Sequence, residues 1–156
     1  MAARRIAATI GGNLKAHPER RLALGQFGEL SRVMSPELVA GFAEVSGDDN
    51  PVHLSEEYAA KTRFKKPIAH GMLYSSMIST IFGAQFEGAI YLRQTFEFKR
   101  PVFVGDKATA KVTVTDVQVD PYIVTCRTVI EDSAGKVCTD GEASVLLPDP
   151  EAAPRA

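Results

Sequence analysis

Apolar and polar positions repeat with two different periods along this chain, and the change falls near its middle. In the first half, Leu38, Val39, Phe42 and Val45 recur at helical spacing behind Ser35 and Pro36. A serine N-cap with proline at the first helical position is a start signal, and Ser46-Gly47 supplies the stop, because glycine can take the left-handed C-cap. A helix is predicted over 36–45, and Ser55 caps a second, shorter one from Glu56 to Lys61. RLALGQFGELSRVM (21–34) predicts a strand or hairpin broken by Gly25 and Gly28, and RFKKP a charged turn leading to Pro67. The segment GMLYSSMISTIFG (71–83) has helical length, apolar or small residues all round and no charge. Such a helix is predicted to be buried on nearly every side.

From Ala89 the period drops to two. AIYLRQTFEFKRPV sets Tyr91, Arg93, Thr95, Glu97 and Lys99 against Leu92, Phe96 and Phe98. KATAKVTVTDVQV sets Ala108, Ala110, Val112 and Val114 against Thr109, Lys111, Thr113 and Thr115, and RPVFVGD links these two strands through Pro101 and Gly105. YIVTCRTVIED and KVCTDGEASVLLP are two more strands, joined by a turn around Gly135. Helices first and strands afterwards predict an α+β class rather than alternating βαβ units. Only a curved sheet can wrap one apolar helix in a protein of this size. The set of one early strand, one buried helix and four long antiparallel strands resembles a single hot-dog fold.

With 156 residues, 45% of them apolar and 24% charged, the chain suits one domain with a substantial core. A net charge of −1 leaves no basic field for nucleic acid, and no apolar run approaches the roughly 20 residues of a membrane span. Cys126 and Cys138, 12 positions apart, lack the close partners of a zinc or redox motif and are predicted to be reduced, buried thiols. The segment 1–20 is basic, with Arg4, Arg5, Lys15 and Arg20 against Glu19 alone. It reads either as an organellar transit segment or as a disordered tail. The folded domain is therefore expected over 21–148, followed by a polar tail at 149–156. The compartment is expected to be the cytoplasm or the mitochondrial matrix, the basic start leaning toward the organelle.

The candidate chemistry lies in SGDDNPVHLSEEYA (46–59). Asp48 follows a predicted helix end, Pro51 forces Asn50 out of the right-handed helical region, and His53 comes five residues after Asp48. A stiff loop of that length can aim a carboxylate and an imidazole at one water, and histidine suits proton transfer near neutrality. Asp, Asn and Pro also form turns for backbone reasons alone, so a plain polar loop is the competing explanation. Asp49 is expected to face solvent.

The run Phe42, Ser46, Gly47, Asp48, Asn50, Pro51, Val52, His53 and Ala59 is similar at every position to the signature of the MaoC-like (R)-specific enoyl-CoA hydratases. FKKPIAHGML (64–73) and FKRPVFVGDKATAKVTV (98–114) resemble later blocks of that family, so the resemblance covers about residues 21–147. It implies reversible syn hydration of trans-2-enoyl thioesters to (R)-3-hydroxyacyl thioesters, carried by coenzyme A or an acyl-carrier protein. The substrate brings the CoA or phosphopantetheine arm, and neither cofactor nor metal is implied. Asp48 and His53 match the catalytic pair, and the Gly71 backbone N–H matches the donor to the thioester carbonyl. That role fits the physics of a helix N-terminus, where N–H groups and the dipole favour developing negative charge. Asn50 is expected to orient the pair or its loop. Ser79 occupies the place of a helix hydroxyl near the aspartate, or simply eases packing. His70 would complete a two-His, one-carboxylate set with Asp48 and His53, but is expected to make structural hydrogen bonds beside the site. Met72, Tyr74 and Met77 are expected in the core rather than in an acyl pocket, with room for one of them to do both. The family's members imply a homodimer.

Two other functions sit on the same fold. Thioesterases and the other bacterial type of carrier dehydratase resemble one another in an acid on the central helix, which 71–83 lacks. A non-catalytic acyl-binding or scaffold subunit would be marked by loss of Asp48 or His53, and both are present.

Overall fold

The computed structural model describes residues 9–150. Its elements run β1 (Gly11–Gly12), β2 (Phe27–Val33), α1 (Pro36–Ser46), α2 (Pro51–Leu54), α3 (Glu56–Lys61), α4 (Gly71–Gln85), β3 (Ile90–Gln94), β4 (Glu97–Phe98), β5 (Lys107–Gln118), β6 (Ile123–Glu131) and β7 (Val137–Leu146). The strands form one antiparallel sheet in the order β1-β2-β5-β6-β7-β3, with β4 also paired to β7. Helix α4 packs across β2, β5 and β6, as a hot-dog fold requires. The inward residues of β5 are the predicted ones: Ala108, Ala110, Val112 and Val114 are all buried. They meet Ile78, Ile81 and Phe82 of α4 in one core.

Local signals are realised as read. Ser35 accepts the Leu38 N–H at the start of α1, Gly47 ends it at φ 76°, and Ser55 accepts the Tyr58 N–H at the start of α3. Cys126 and Cys138 are buried free thiols, and burial pushes the Cys126 thiol up to about 12, which makes it a poor nucleophile.

Four expectations are corrected. The strand expected at 89–102 is two: its backbone leaves the ladder at Thr95, whose carbonyl oxygen lies where a Cβ at position 141 would sit, so the crossing needs Gly141. A register shift around Leu92 also turns Tyr91 inward onto Phe82, at 5.8 Å between ring centroids, and leaves Leu92 exposed. Helix α4 is buried on one side only: Met72, Ser76, Ser79, Thr80 and Gly83 form an exposed stripe, because the sheet of one chain curls around just part of the helix. The expected boundary at residue 21 lies inside the fold, since Gly11 and Gly12 pair with β2 and Leu14 is in the core. Asp149, expected in the polar tail, is held by Arg21 through two charge-assisted hydrogen bonds of 2.9 and 2.7 Å. Arg4 and Arg5, and the tail from residue 151, lie outside the described residues.

Candidate active site

The expected loop between Asp48 and His53 contains a one-turn helix. Asn50 is its N-cap, accepting the Val52 N–H at 3.2 Å, and Pro51 fills the first helical position. The Asn50 N–H in turn reaches Asp48 Oδ1 at 3.4 Å. Asn50 therefore fixes both ends of the motif: it starts the helix that carries His53 and restrains the carboxylate before it. Asp49 is exposed.

The chain from Pro67 to Ala69 is the other anchor. Ala69 N–H bonds Val102 O, Val104 N–H bonds Pro67 O, and Ile68 N–H bonds Val52 O. This pinned segment presents the Ile68 carbonyl to His53 Nδ1 at 2.7 Å. A carbonyl can only accept, so Nδ1 carries a proton, and in the neutral ring the lone pair is on Nε2. Nε2 lies 3.9 Å from Asp48 Oδ2. That is too far for a direct hydrogen bond, and close enough for both atoms to hold the same water oxygen.

His70 lies beneath the pair. Its ring stacks on His53, with centroids 3.8 Å apart and planes at 29°, and the Phe42 ring packs against it at 5.1 Å. Its Nε2 donates to the Asp48 carbonyl oxygen at 2.9 Å. One atom each from Asp48, His53 and His70 falls within 4.8 Å of the others, a spacing a metal could use. An imidazole stacked on its neighbour, with Nε2 tied to a backbone carbonyl, is however arranged as a brace: it holds the Asp48 backbone and the plane of His53 at once.

Immediately after His70 comes the N-terminus of α4. Among the described residues the N–H of Gly71 has no partner, as expected in a first helical turn. Gly71 has no room for a side chain, since a Cβ would meet the Phe98 ring at 2.6 Å. His53 and Gly71 open on the same cavity of ≈ 360 Å³. Its walls are apolar, with Phe64, Ile68, Tyr74 and Phe98, and three cations, Arg63, Lys99 and Arg100, stand among its lining residues. Burial raises the Tyr74 phenol above its ordinary pKa, so it remains a neutral hydroxyl there.

Asp48, His53, Asn50, His70 and Gly71 are thus gathered at one place. Ser79 is not: it lies on the exposed stripe of α4 and its hydroxyl donates to the Ser76 carbonyl at 2.8 Å. Of the residues expected in the core, Tyr74 is buried and lines the cavity, Met72 lines it while half exposed, and Met77 borders a separate groove beside Leu30 and Met34. Sequence reasoning missed Ile68, whose only signal is a backbone carbonyl. It also missed Phe98 and the cations. The basic run from Lys61 to Lys66 was the available sign, and it reads as a charged turn until the fold sets Arg63 and Arg100 in the lining of one cavity.

Comparison with known proteins adds the following. Residues 6–133 match the family model described as MaoC like domain. The chain is 46% identical over 129 residues to the (R)-specific enoyl-CoA hydratase of Aeromonas caviae, covering 81% of this chain and 96% of that protein. It is 37% identical to the mitochondrial 3-hydroxyacyl-[acyl-carrier-protein] dehydratase of Arabidopsis thaliana, covering 82% and 79%. The solved structure of the A. caviae (R)-hydratase involved in PHA biosynthesis superposes with a TM-score of 0.80, covering 81% of this chain and 98% of that one.

Proposed function

The chain belongs to the MaoC-like domain family, and from that premise we propose that it is a hydro-lyase acting reversibly on trans-2-enoyl thioesters to give (R)-3-hydroxyacyl thioesters. The observation that carries this reading is the tautomer of His53: with Nδ1–H bound to the Ile68 carbonyl, Nε2 is a lone-pair base facing the Asp48 carboxylate. A water held by both loses a proton to Nε2 as its oxygen bonds to C3 of the enoyl chain. The electrons move onto the thioester oxygen, where the Gly71 N–H and the α4 dipole meet the charge as it develops. A proton then returns from the pair to C2, on the face that received the oxygen. The sum is water across one double bond, and the same steps in reverse dehydrate. The test is loss of the enoyl absorbance of crotonyl-CoA with chiral analysis of the product. Formation of (R)-3-hydroxybutyryl-CoA is expected, whereas the (S) product, or release of free CoA thiol, would overturn the proposal.

His70 acts through the pair as a positioning residue. His70→Ala is expected to lower kcat about 10²-fold, the scale of an ångström-sized displacement at a reacting centre. His70→Gln, whose amide can again donate to the Asp48 carbonyl, is expected to recover part of that loss. Equal damage from both variants would contradict the role.

A homodimer completes this reading. The stripe of Met72, Ser76, Ser79 and Thr80 is exposed on a helix that carries no charge, and a second copy is the natural cover for it. Light scattering should give twice the chain mass, and a monomer would contradict it. Among the described residues no helix is long and apolar enough to cross a membrane. The Arabidopsis relative is named as mitochondrial, whereas the more similar A. caviae relative carries no compartment in its name. Because Gly11 and Leu14 are folded onto the sheet, any removable leader would end before them.

A further inference from the structure

The cavity beside His53 carries more positive charge than the reaction uses. An enoyl chain and its thioester are neutral, so nothing in the reacting part of the substrate calls for Arg63, Lys99 and Arg100 among the residues that line the pocket. The three cations are not equivalent. Lys99 is already engaged, 3.3 Å from Asp140 and 3.5 Å from Glu97. Arg63 and Arg100 have no carboxylate within salt-bridge distance among the described residues; the guanidinium of Arg63 lies over the Phe64 ring, 4.8 Å from its centroid. That contact steadies the fork without neutralising it.

The two arginines come from different elements. Arg63 follows α3, in a run where Lys61, Arg63, Lys65 and Lys66 are basic and no residue is acidic. Arg100 follows β4, just before the Val102 that pins Ala69. The fold places them in the walls of one opening in a protein whose net charge is −1. Both are exposed, while Ala69 and Tyr74 below them are buried. The cavity is therefore apolar where the thioester must sit and cationic where it meets solvent.

Resting on the enoyl-thioester reading, we propose that Arg63 and Arg100 bind the phosphate of the phosphopantetheine arm, the anionic group common to coenzyme A and to a loaded carrier protein. Guanidinium forks suit phosphate oxygens bidentately, and a pair reaching from two walls fixes the arm's direction into the pocket.

The experiment compares wild type with the Arg63→Gln/Arg100→Gln double variant on crotonyl esters of pantetheine, of phosphopantetheine and of coenzyme A. Wild-type hydration of the phosphate-free pantetheine ester tests the underlying reading separately from the arginines; no turnover of any of the three would defeat that reading itself. With turnover established, KM in the variant is expected to rise about tenfold for the phosphopantetheine and CoA esters, and to stay within about twofold of wild type for the pantetheine ester. A crotonyl-carrier protein should lose as much as the phosphopantetheine ester. A KM unchanged for all three would overturn the proposal. So would an equal rise for all three, which would mean a disturbed pocket, or a rise with CoA alone, which would move the contact to the nucleotide.

Discussion

His53→Ala is expected to lower kcat for crotonyl-CoA hydration by about three orders of magnitude, with little change in KM. The imidazole turns an Nε2 lone pair toward the Asp48 carboxylate, because the Ile68 carbonyl at 2.7 Å holds the Nδ1–H tautomer. General base catalysis of this kind is worth about 10²–10⁴-fold. The loss should fall on kcat because the base acts in the transition state and makes no contact that the ground-state thioester needs. Structurally the change is mild. The ring lies in the wall of an open cavity rather than within the core cluster, and the helix that carries it is capped by Asn50, not by His53. Circular dichroism and thermal unfolding should therefore resemble wild type. A variant that is folded and still turns over within tenfold of wild type would remove His53 from the mechanism.

Asp48→Asn is expected to cost a comparable factor, about 10²–10³ in kcat, for a different reason. The two side chains have the same shape, and the Asn50 N–H can still bond the retained oxygen as it now bonds Oδ1. What changes is the atom facing His53. A carboxylate oxygen accepts only, so water between it and Nε2 must point one proton at each. An amide nitrogen in that place donates to the water instead of accepting from it, so the water loses the acceptor that orients it toward Nε2. Because the two residues act on one water, their losses should not multiply. The Asp48→Asn/His53→Ala double variant is expected to fall little below the worse single one. Losses that multiply to the full product would mean two independent roles, and would break the one-water mechanism.

Much of this site was legible in the chain. Asp48, Asn50, Pro51 and His53 lie within six positions, so backbone stiffness alone limits how far apart they can point. The caps at Ser35, Gly47 and Ser55 are equally local and came out as read. Gly71 was singled out by the family resemblance, and the start of a charge-free helix there agrees with it. His70 was expected to make structural hydrogen bonds beside the site and does, but its partners were not legible. Its value lies in stacking on a residue 17 positions earlier and bonding the carbonyl of one 22 positions earlier, neither of which leaves a periodic trace. Ser79 shows the reverse case, a polar residue on the right helix but about two turns along it from Met72, its hydroxyl bonded to the Ser76 carbonyl. The break at Thr95 also escaped, since alternation continues through it and only the close approach to Gly141 interrupts the ladder.

The sequence by itself determined the capped helices, the inward face of β5, the charge-free helix and the short motif that joins a carboxylate to an imidazole. Each of these depends on residues within one or two turns of each other, where steric rules and hydrogen-bond caps act without help from the rest of the chain. Tertiary structure alone decided which nitrogen of His53 bonds the Ile68 carbonyl, which groups His70 stacks on and bonds, which side of α4 stays uncovered, and that Arg63 and Arg100 line one opening. Those outcomes are set by contacts between segments far apart in the chain, whose relative placement follows from packing the sheet around one helix and is written in no single stretch of residues.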